Sequence, residues 1–320
     1  MTSPARALLA AVAAAAALLS APARAAYSEA AALRYVKWVG ASYCPFASLQ
    51  AWSCAPCDAA ARVANLTAIH NATTNVTGYV GLAAATNEVV VAFHGSEGVE
   101  NWLENFDVEF VPANLSVAAP CPGCLISRGF SLDTYATVRV ALLAAVRATL
   151  ALAGPGALLV VSGHSLGAAI AEVATLDLLG ANLPPHAGLT HYSFGTPRVG
   201  NAAWASALHA AASASRPDSY FRIVHALDPV PRLPPAVLLG YAHPPREVWY
   251  SENSSSFVVC SADSGEDPAC SDSDAPFGTR DHVSARRRKR SRLHSALARS
   301  HDSLTAARPV RPYHRKDALP

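Results

Sequence analysis

The sequence predicts an α/β fold with a mostly parallel central sheet and helices on both of its faces. Three observations predict it: continuous apolar runs of strand length, longer helical patterns between them, and one run that leads through a serine-containing turn straight into a helix. Strands buried on both faces give continuous rather than alternating apolar runs, and helices then cover the sheet. No internal repeat or long linker interrupts residues 26–284, so we expect one domain there.

The N-terminal residues 1–25 predict a secretory signal peptide. Arg6 supplies a positive charge, residues 7–19 form a short apolar segment, and Ala23-Arg24-Ala25 is a typical cleavage site. A signal anchor that stays attached is the alternative. No other stretch approaches the roughly 20 apolar residues that a membrane span needs, so we expect a secreted protein.

The central elements can be assigned in order along the chain. Strand-length apolar runs lie at Glu88–Phe93, Leu158–Val161 and Phe221–Val224, and helical patterns cover Leu132–Leu152 and Ala168–Leu179. These elements alternate, which favours strands joined by helical crossovers.

A serine stands at the turn between the second of these runs and the following helix. Gly163-His164-Ser165-Leu166-Gly167 places Ser165 where the backbone is strained and the hydroxyl is presented to a reactant, and the two glycines let strand and helix pass closely. The N-terminus of the helix favours a negative charge that develops at the same place. An ordinary turn is the alternative, but the strand before and the helix after it favour a nucleophile with half of an oxyanion hole.

A serine nucleophile needs a base and a carboxylate that orients the base. Asp228 directly follows the run Phe221–Val224, at the strand end where open α/β sheets place their sites. Asp177 and Asp218 are the alternatives; the first falls inside a helical pattern and the second in a turn rich in Ser, Pro and Asp.

The predicted base is His282, which follows Asp228 in the order serine, aspartate, histidine. His164 adjoins the nucleophile, and its side chain should therefore point to the other side of the turn. His225 and His243 lie near strand ends, where structural hydrogen-bonding histidines are common.

The seven cysteines predict an oxidising compartment. Three local bridges are plausible, Cys54 with Cys57, Cys121 with Cys124, and Cys260 with Cys270, and they leave Cys44 alone. The two Cys-x-x-Cys pairs could instead form a zinc or redox site, but the predicted signal peptide favours disulfides and we expect no metal. Possible N-glycosylation sites stand at Asn65, Asn71, Asn75, Asn114 and Asn253.

The formal net charge of +2 combines an acidic domain with a basic C-terminal segment. Residues 285–320 hold 11 Lys or Arg and 2 Asp or Glu, with no hydrophobic period. This composition predicts a disordered tail. Binding to heparin, nucleic acid or another anionic surface, or proprotein cleavage, are functional alternatives, but we expect no nucleic-acid partner.

Several separated motifs follow one another along the chain. In order they are Glu88 to Ser96, Asn101-Trp102-Leu103, Gly163 to Ala169, Phe194 to Asn201, Asp228 to Pro231, His243 to Tyr250 and Asp281-His282. Together these motifs resemble the fungal lipase-like (class 3) family of secreted triacylglycerol lipases. The resemblance covers roughly residues 30–284.

This resemblance implies an α/β-hydrolase fold with Ser165 as nucleophile, Asp228 as orienting carboxylate and His282 as general acid and base. It assigns the oxyanion donors to the Leu166 N–H and to Ser96, through its N–H and its hydroxyl. His94 stands where the family usually has an arginine, which changes the charge pairing expected below that loop.

The resemblance also implies a short helical lid over the substrate groove. The lid would be the segment Val99–Phe106. Its apolar side is formed by Val99, Trp102, Leu103 and Phe106. Such a face is unfavourable in water and favourable at a lipid surface, so opening at an interface would follow. An ordinary surface helix is the alternative.

The chain departs from the family's pattern after Ser284. The family usually continues with an aromatic segment and often ends in a cysteine that ties it to the start of the domain, whereas here a basic run follows. The missing cysteine would also explain why Cys44 is left unpaired. We therefore expect residues 285–320 to be a non-native or disordered tail.

Together these inferences predict a secreted serine carboxyl-ester hydrolase, acting on triacylglycerol or related glycerolipids through an acyl-enzyme and without a cofactor. A feruloyl-type esterase or a phospholipase with the same triad is the alternative within this chemistry. A catalytically impaired lipid-binding protein is the alternative outside it, if the tail is genuine. The expected partners are the ester substrate and, through the lid, a lipid interface; the sequence carries no signal for the oligomeric state.

Overall fold

An eight-stranded mixed sheet forms the centre of the molecule. The computed structural model describes residues 27–96, 107–114 and 121–273. The strands are β1 Ala64–Asn71, β2 Val76–Ala83, β3 Glu88–Phe93, β4 Phe110–Pro112, β5 Leu125–Ser127, β6 Leu158–His164, β7 Leu189–Phe194, β8 Gly200–Asn201, β9 Tyr220–His225, β10 Tyr241–Ala242, β11 Glu247–Tyr250 and β12 Phe257–Val259. The large sheet has the order β1-β2-β3-β6-β7-β9-β11-β12.

The five central strands from β3 to β11 run parallel, and β1, β2 and β12 are added antiparallel at the two edges. The predicted mostly parallel sheet is therefore confirmed. Four short strands form a second sheet in the order β10-β8-β5-β4.

Helices cover both faces of the large sheet. They are α1 Glu29–Ala41, α2 Phe46–Gln50, α3 Arg128–Phe130, α4 Ala136–Ala153, α5 Leu166–Gly180, α6 Ala202–Ser215 and α7 Ala236–Leu239, with a π-helical turn at Ser131–Tyr135 and 3₁₀ turns at Ala59–Ala61, Val230–Arg232 and Ser271–Ser273. The predicted helices at 132–152 and 168–179 correspond to the π-turn with α4 and to α5.

Strand β3 shows why the run from Val89 to Phe93 is apolar at every position. Val89 and Val91 belong to the core formed with α4, α5 and α6, whereas Val90 and Ala92 belong to the core formed with α1. Successive side chains point to opposite faces of a sheet, so a strand covered on both sides needs apolar residues at every position.

One expectation about membrane spans was wrong. The continuous helical stretch Arg128–Ala153 is 26 residues long and apolar enough to cross a membrane by length and composition. Its side chains Val138, Leu142 and Val146 are buried in the core against the sheet. A core helix passes the same test of length and hydropathy, and these contacts identify this stretch as one.

The three predicted disulfides are present. They join Cys54 to Cys57, Cys121 to Cys124, and Cys260 to Cys270. Cys44 is buried and belongs to no disulfide, and burial raises the pKa of its thiol to about 11.

Four predictions fall on residues outside the described ranges. They are the signal peptide at 1–25, the lid residues Val99, Trp102, Leu103 and Phe106, the base His282, and the tail at 285–320.

Candidate active site

Ser165 occupies a strained turn between β6 and α5. Its backbone has φ 57° and ψ −127°, a conformation that costs energy for any residue with a side chain. The turn is fixed on both sides, because the Ser165 N–H donates to the Phe194 carbonyl (3.0 Å) and the Ser165 carbonyl accepts from the Ala168 N–H (3.0 Å). Backbone hydrogen bonds therefore hold the serine in this strained geometry.

Two glycines make the turn possible. A Cβ on Gly163 would lie 2.2 Å from the Gly167 carbonyl oxygen, and a Cβ on Gly167 would lie 2.4 Å from the His94 carbonyl oxygen. Both contacts are with backbone atoms, which cannot swing aside. The close approach of β6, α5 and the loop after β3 therefore requires glycine at both positions.

The surroundings of Ser165 favour a negative charge near its hydroxyl. Leu166 is the first residue of α5, so its N–H has no acceptor within the helix and lies at the positive end of the helix dipole. Ser165 is fully buried, and its Oγ makes no hydrogen bond to any residue in the described ranges. A hydroxyl without such a partner is available to a base or a substrate.

The loop after β3 lies directly against the serine. A Cβ on Gly95 would be 2.7 Å from the Ser165 Cβ, and Ser96 is the next residue, partly exposed. Strands β3 and β6 are parallel neighbours, so the loops after them emerge at the same edge of the sheet. The predicted oxyanion residue Ser96 therefore lies in a loop that borders Ser165, and the other, Leu166, is the next residue along the chain.

Tyr43, just after α1, connects the loop after β3 to the end of β6. Its hydroxyl accepts a hydrogen bond from the Gly95 N–H (2.8 Å) and is hydrogen-bonded to His164 Nδ1 (2.8 Å). The Tyr43 ring lies 4.9 Å from the ring of His94, whose Nδ1 contacts the Gly95 carbonyl at 2.5 Å. His94, which stands where the related family usually has an arginine, thus packs beside Tyr43.

Asp228 follows β9 at the same carboxyl edge, two strands away from Ser165 in the order β6-β7-β9. Its N–H donates to the His225 carbonyl (3.0 Å), and its Oδ1 accepts the Val230 N–H at 2.9 Å. The carboxylate is buried. A buried carboxylate fixed by its own loop is suited to orienting a neighbouring base.

Arg198 holds the loop that follows Asp228. The backbone N–H of Arg198 donates to the Leu233 carbonyl (2.7 Å), and its guanidinium donates to the carbonyls of Arg232 (2.5 Å) and Pro234 (3.2 Å). Two further bonds, at 2.8 and 2.6 Å, pair the guanidinium with both oxygens of Glu266. Burial alone would raise the pKa of Glu266, but the hydrogen bonds and charge of Arg198 lower it well below its usual range, so the pair is ionic.

The rejected carboxylates have structural roles. Asp177, inside α5, accepts hydrogen bonds from Tyr135 (2.6 Å) and from Arg139 (2.7 and 3.0 Å). Asp218 lies in a turn and forms an ion pair with Arg246. Both carboxylates are therefore committed to partners of the fold.

The three histidines that are alternatives to His282 lie within the described residues. His164 faces Tyr43, and His225 ends β9. His243 is buried with its Nε2 only 2.6 Å from the Pro231 carbonyl, and burial, followed by the charge of Arg222, lowers its pKa well below the usual range. His243 is thus a neutral donor that supports the loop after Asp228.

Sequence reasoning missed Tyr43 and Glu266. Tyr43 contacts His164 across 121 positions, and Glu266 contacts Arg198 across 68. No local pattern marks either residue, because their roles depend on which distant segments the fold brings together. Arg198 lies within one of the motifs that carried the resemblance, but its role was not assigned.

Similarity to known proteins agrees with this geometry. The sequence profile of the family described as lipase (class 3) matches residues 90–238. A secreted mono- and diacylglycerol lipase A from Penicillium cyclopium is 36% identical over 188 residues, which is 59% of this chain and 56% of that protein. A lipase from Rhizomucor miehei is 34% identical over 236 residues, 73% of this chain and 61% of that protein. The match thus spans little more than half the length of these curated relatives.

Solved structures extend the similarity over most of the fold. The Rhizomucor miehei lipase in complex with its propeptide superposes with a TM-score of 0.71 and 30% identity, covering 82% of this chain and 81% of that one. A triacylglycerol lipase structure, described as having a serine protease triad as its catalytic centre, gives a TM-score of 0.70 at 30% identity and covers 82% and 96% of the two chains. The fold is therefore the α/β-hydrolase fold, and this chain belongs to the class 3 lipase family.

Proposed function

We propose that this chain is a secreted serine carboxyl-ester hydrolase that acts on glycerolipids through an acyl-enzyme. The observation that carries the proposal is the position of Ser165: strained, buried, without a hydrogen bond to the described residues, and at the N-terminus of a long helix. A strained strand-to-helix turn that holds a serine in this way is the nucleophile turn of α/β-hydrolases.

The proposed reaction has two halves. Ser165 Oγ attacks the ester carbonyl while His282 accepts the hydroxyl proton and Asp228 orients His282. The oxygen of the tetrahedral intermediate is stabilised by the N–H groups of Leu166 and Ser96. The intermediate collapses as His282 returns the proton to the leaving alcohol, and water activated by the same histidine then hydrolyses the acyl-enzyme and frees the fatty acid and Ser165.

Two observations support a glycerolipid as the substrate. The Penicillium relative is named as a secreted mono- and diacylglycerol lipase. In addition, α7 exposes Val237 (103%) and Leu238 (81%), apolar side chains shortly after the Asp228 loop. Large exposed apolar side chains near a site favour contact with an aggregated lipid. The segment 99–106 remains a predicted lid that would add to this contact.

The experiment compares the wild type with Ser165→Ala on a dissolved p-nitrophenyl butyrate and on emulsified dioleoylglycerol. Loss of the attacking hydroxyl should abolish both activities, since triad members act as a unit. Ser193→Ala is the matched control, because it removes another buried serine hydroxyl, on the neighbouring strand β7. Equal activity of Ser165→Ala and wild type on the same preparations contradicts the mechanism.

The same assays identify the base and the substrate class. His282→Ala should lose several powers of ten in kcat, whereas His243→Ala should lose stability rather than the chemical step. The reverse result would reassign the base. Turnover of the dissolved ester without turnover of the emulsion would instead favour a feruloyl-type or other soluble esterase, and release of fatty acid from phosphatidylcholine would favour a phospholipase.

A further inference from the structure

Tyr43 stands out among the buried polar groups because its hydroxyl contacts both the loop after β3 and the end of β6, the two segments next to the proposed nucleophile Ser165. It is 7% exposed and lies just after α1, far in sequence from the site. The reaction proposed above assigns it no role. Nevertheless, its hydroxyl lies 2.8 Å from the Gly95 nitrogen on one side and 2.8 Å from His164 Nδ1 on the other.

These two bonds join Gly95, which directly precedes one proposed oxyanion donor, to His164, which stands two positions before the other. Gly95 precedes Ser96, and His164 and Ser165 precede Leu166. The Gly95 N–H donates to the Tyr43 oxygen, so the direction of that amide is fixed. The orientation of one amide in a loop restricts that of the next, because each peptide unit is planar and only φ and ψ between them can turn.

The packing around Gly95 is tight. A Cβ at Gly95 would lie 2.7 Å from the Ser165 Cβ, 2.7 Å from the His164 carbonyl oxygen and 3.0 Å from the Tyr43 hydroxyl. The loop after β3 is thus packed closely against the turn at Ser165 and against Tyr43. Oxyanion donors act well only when their distance to the developing charge is set in advance, within a few tenths of an ångström.

We propose that Tyr43 is a positioning residue for the oxyanion hole: its hydroxyl bridges Gly95 and His164 and so sets the distance between the N–H donors of Ser96 and Leu166. This inference rests on the proposed function. Tyr43 touches neither substrate nor the reacting atoms in this role; it acts through the loop after β3 and the end of β6.

The test is a comparison of oxo- and thionoesters with Tyr43→Phe, which removes only the hydroxyl. A thiono sulfur accepts hydrogen bonds poorly, so the hydrolysis of a thionoester depends little on the alignment of the donors. With dissolved p-nitrophenyl butyrate and its thiono analogue, Tyr43→Phe should lower kcat on the oxoester about tenfold, as expected for weakened hydrogen bonds in the transition state. The thionoester should lose much less, and KM should change little.

Tyr79→Phe is the matched control. Its hydroxyl is also buried and donates one hydrogen bond, to the Trp38 carbonyl at 3.0 Å, on β2. Tyr79→Phe should lower the free energy of unfolding about as much as Tyr43→Phe does. It should leave the ratio of oxoester to thionoester hydrolysis rates unchanged. His164→Ala breaks the same bridge from its other end, so it should shift the ratio as well, and the double variant should shift it no further.

Each outcome decides the inference. A parallel loss on both esters in Tyr43→Phe, or additive effects of the two substitutions, would show a merely structural role and overturn it. If Tyr43→Phe unfolds, His164→Ala alone carries the comparison. A wild type that hydrolyses neither ester overturns the proposed function itself, whereas an active wild type with an unshifted ratio overturns only the role of Tyr43.

Discussion

At the scale of single residues, the candidate site depends on backbone that cannot accommodate additional atoms. Ser165 adopts φ 57° because β6 must turn sharply into α5. The strain is maintained by the hydrogen bonds of the turn and by two glycines whose missing side chains leave room for neighbouring carbonyls. This cost in stability is typical of functional positions, where geometry matters more than a relaxed conformation.

Gly163→Ala should therefore damage both stability and activity. The new Cβ would lie 2.2 Å from the Gly167 carbonyl oxygen, so β6 and α5 must separate. We expect the free energy of unfolding to fall by about 3 kcal/mol. We also expect most of the esterase activity to be lost. Urea denaturation and turnover of a dissolved ester measure the two effects. Gly156→Ala is the control, because the closest atom to its Cβ is 3.7 Å away. Comparable behaviour of the two variants would show that the turn tolerates expansion.

At the scale of elements, α7 contrasts with the other helices. It is four residues long and contributes no buried residue. The small sheet holds it in place: β10 follows it and pairs with β8, and the Tyr241 hydroxyl donates to the Val108 carbonyl at 2.7 Å. The ring of Tyr241 also stacks on Phe110 at 4.3 Å between centroids. A rigid base under exposed apolar side chains suits an element that contacts lipid.

The double substitution Val237→Ser with Leu238→Ser should reduce adsorption of the protein to lipid. We expect the share of Ser165→Ala protein bound to vesicles of phosphatidylcholine and dioleoylglycerol to fall severalfold, because about 2 kcal/mol is gained by each such side chain on leaving water. When the same double substitution is made in the protein that keeps Ser165, hydrolysis of the emulsion should fall together with vesicle binding. Hydrolysis of the dissolved ester should stay unchanged.

The matched control for α7 is Val140→Ser with Leu152→Ser on α4. These two residues are 79% and 61% exposed and are the same residue types, but they belong to a helix that covers the sheet rather than to the loops after it. Equal losses of vesicle binding in both pairs would mean that general hydrophobicity rather than α7 determines adsorption.

At the scale of the whole molecule, a buried carboxyl group ties α5, the helix that follows Ser165, to the sheet. Glu172 on α5 is fully buried, and its Oε1 accepts a hydrogen bond from the Tyr220 hydroxyl of β9 at 2.5 Å. Burial raises the pKa of Glu172 to about 7, although Tyr220 and Arg222 act in the opposite direction. The folded protein therefore holds this carboxyl protonated over a pH range in which the unfolded chain releases the proton.

Glu172→Gln should remove part of the pH dependence of stability. In the wild type the folded pKa of Glu172 is raised from 4.5 to about 7, so its contribution to stability is present below pH 4.5 and is lost as the pH rises through that window. The variant cannot ionise and keeps an acceptor for Tyr220. We expect similar free energies of unfolding at pH 5 and a variant more stable by roughly 3 kcal/mol at pH 8.

Urea denaturation at several pH values measures this difference. Glu109→Gln is the control, because the Glu109 side chain is 72% exposed and its removal should leave the pH profile unchanged. A constant difference between Glu172→Gln and wild type from pH 5 to 8 would mean that Glu172 does not titrate in this window.

The sequence by itself determined the class of the fold and the order of its principal elements. The apolar run at Glu88–Phe93 matches β3 at both ends, and the serine turn lies between a strand and a helix as its pattern predicts. These features are local: burial on both faces shows in every residue of a strand, and a sharp turn shows in its glycines. The pairing of close cysteines was also readable, since short loops leave few alternatives.

Only the tertiary structure decided how separate segments meet around Ser165. The bridge from Tyr43 to Gly95 and His164, and the pairing of Arg198 with Glu266, join residues far apart in sequence, whose side chains could equally form surface contacts. The stretch Arg128–Ala153 is a second example. Its length and composition alone would allow a membrane span, but its packing on the sheet identifies it as a core helix. Local patterns specify what an element can be; the environment that an element finds, and hence the role of each polar side chain, arises only when the whole chain is folded.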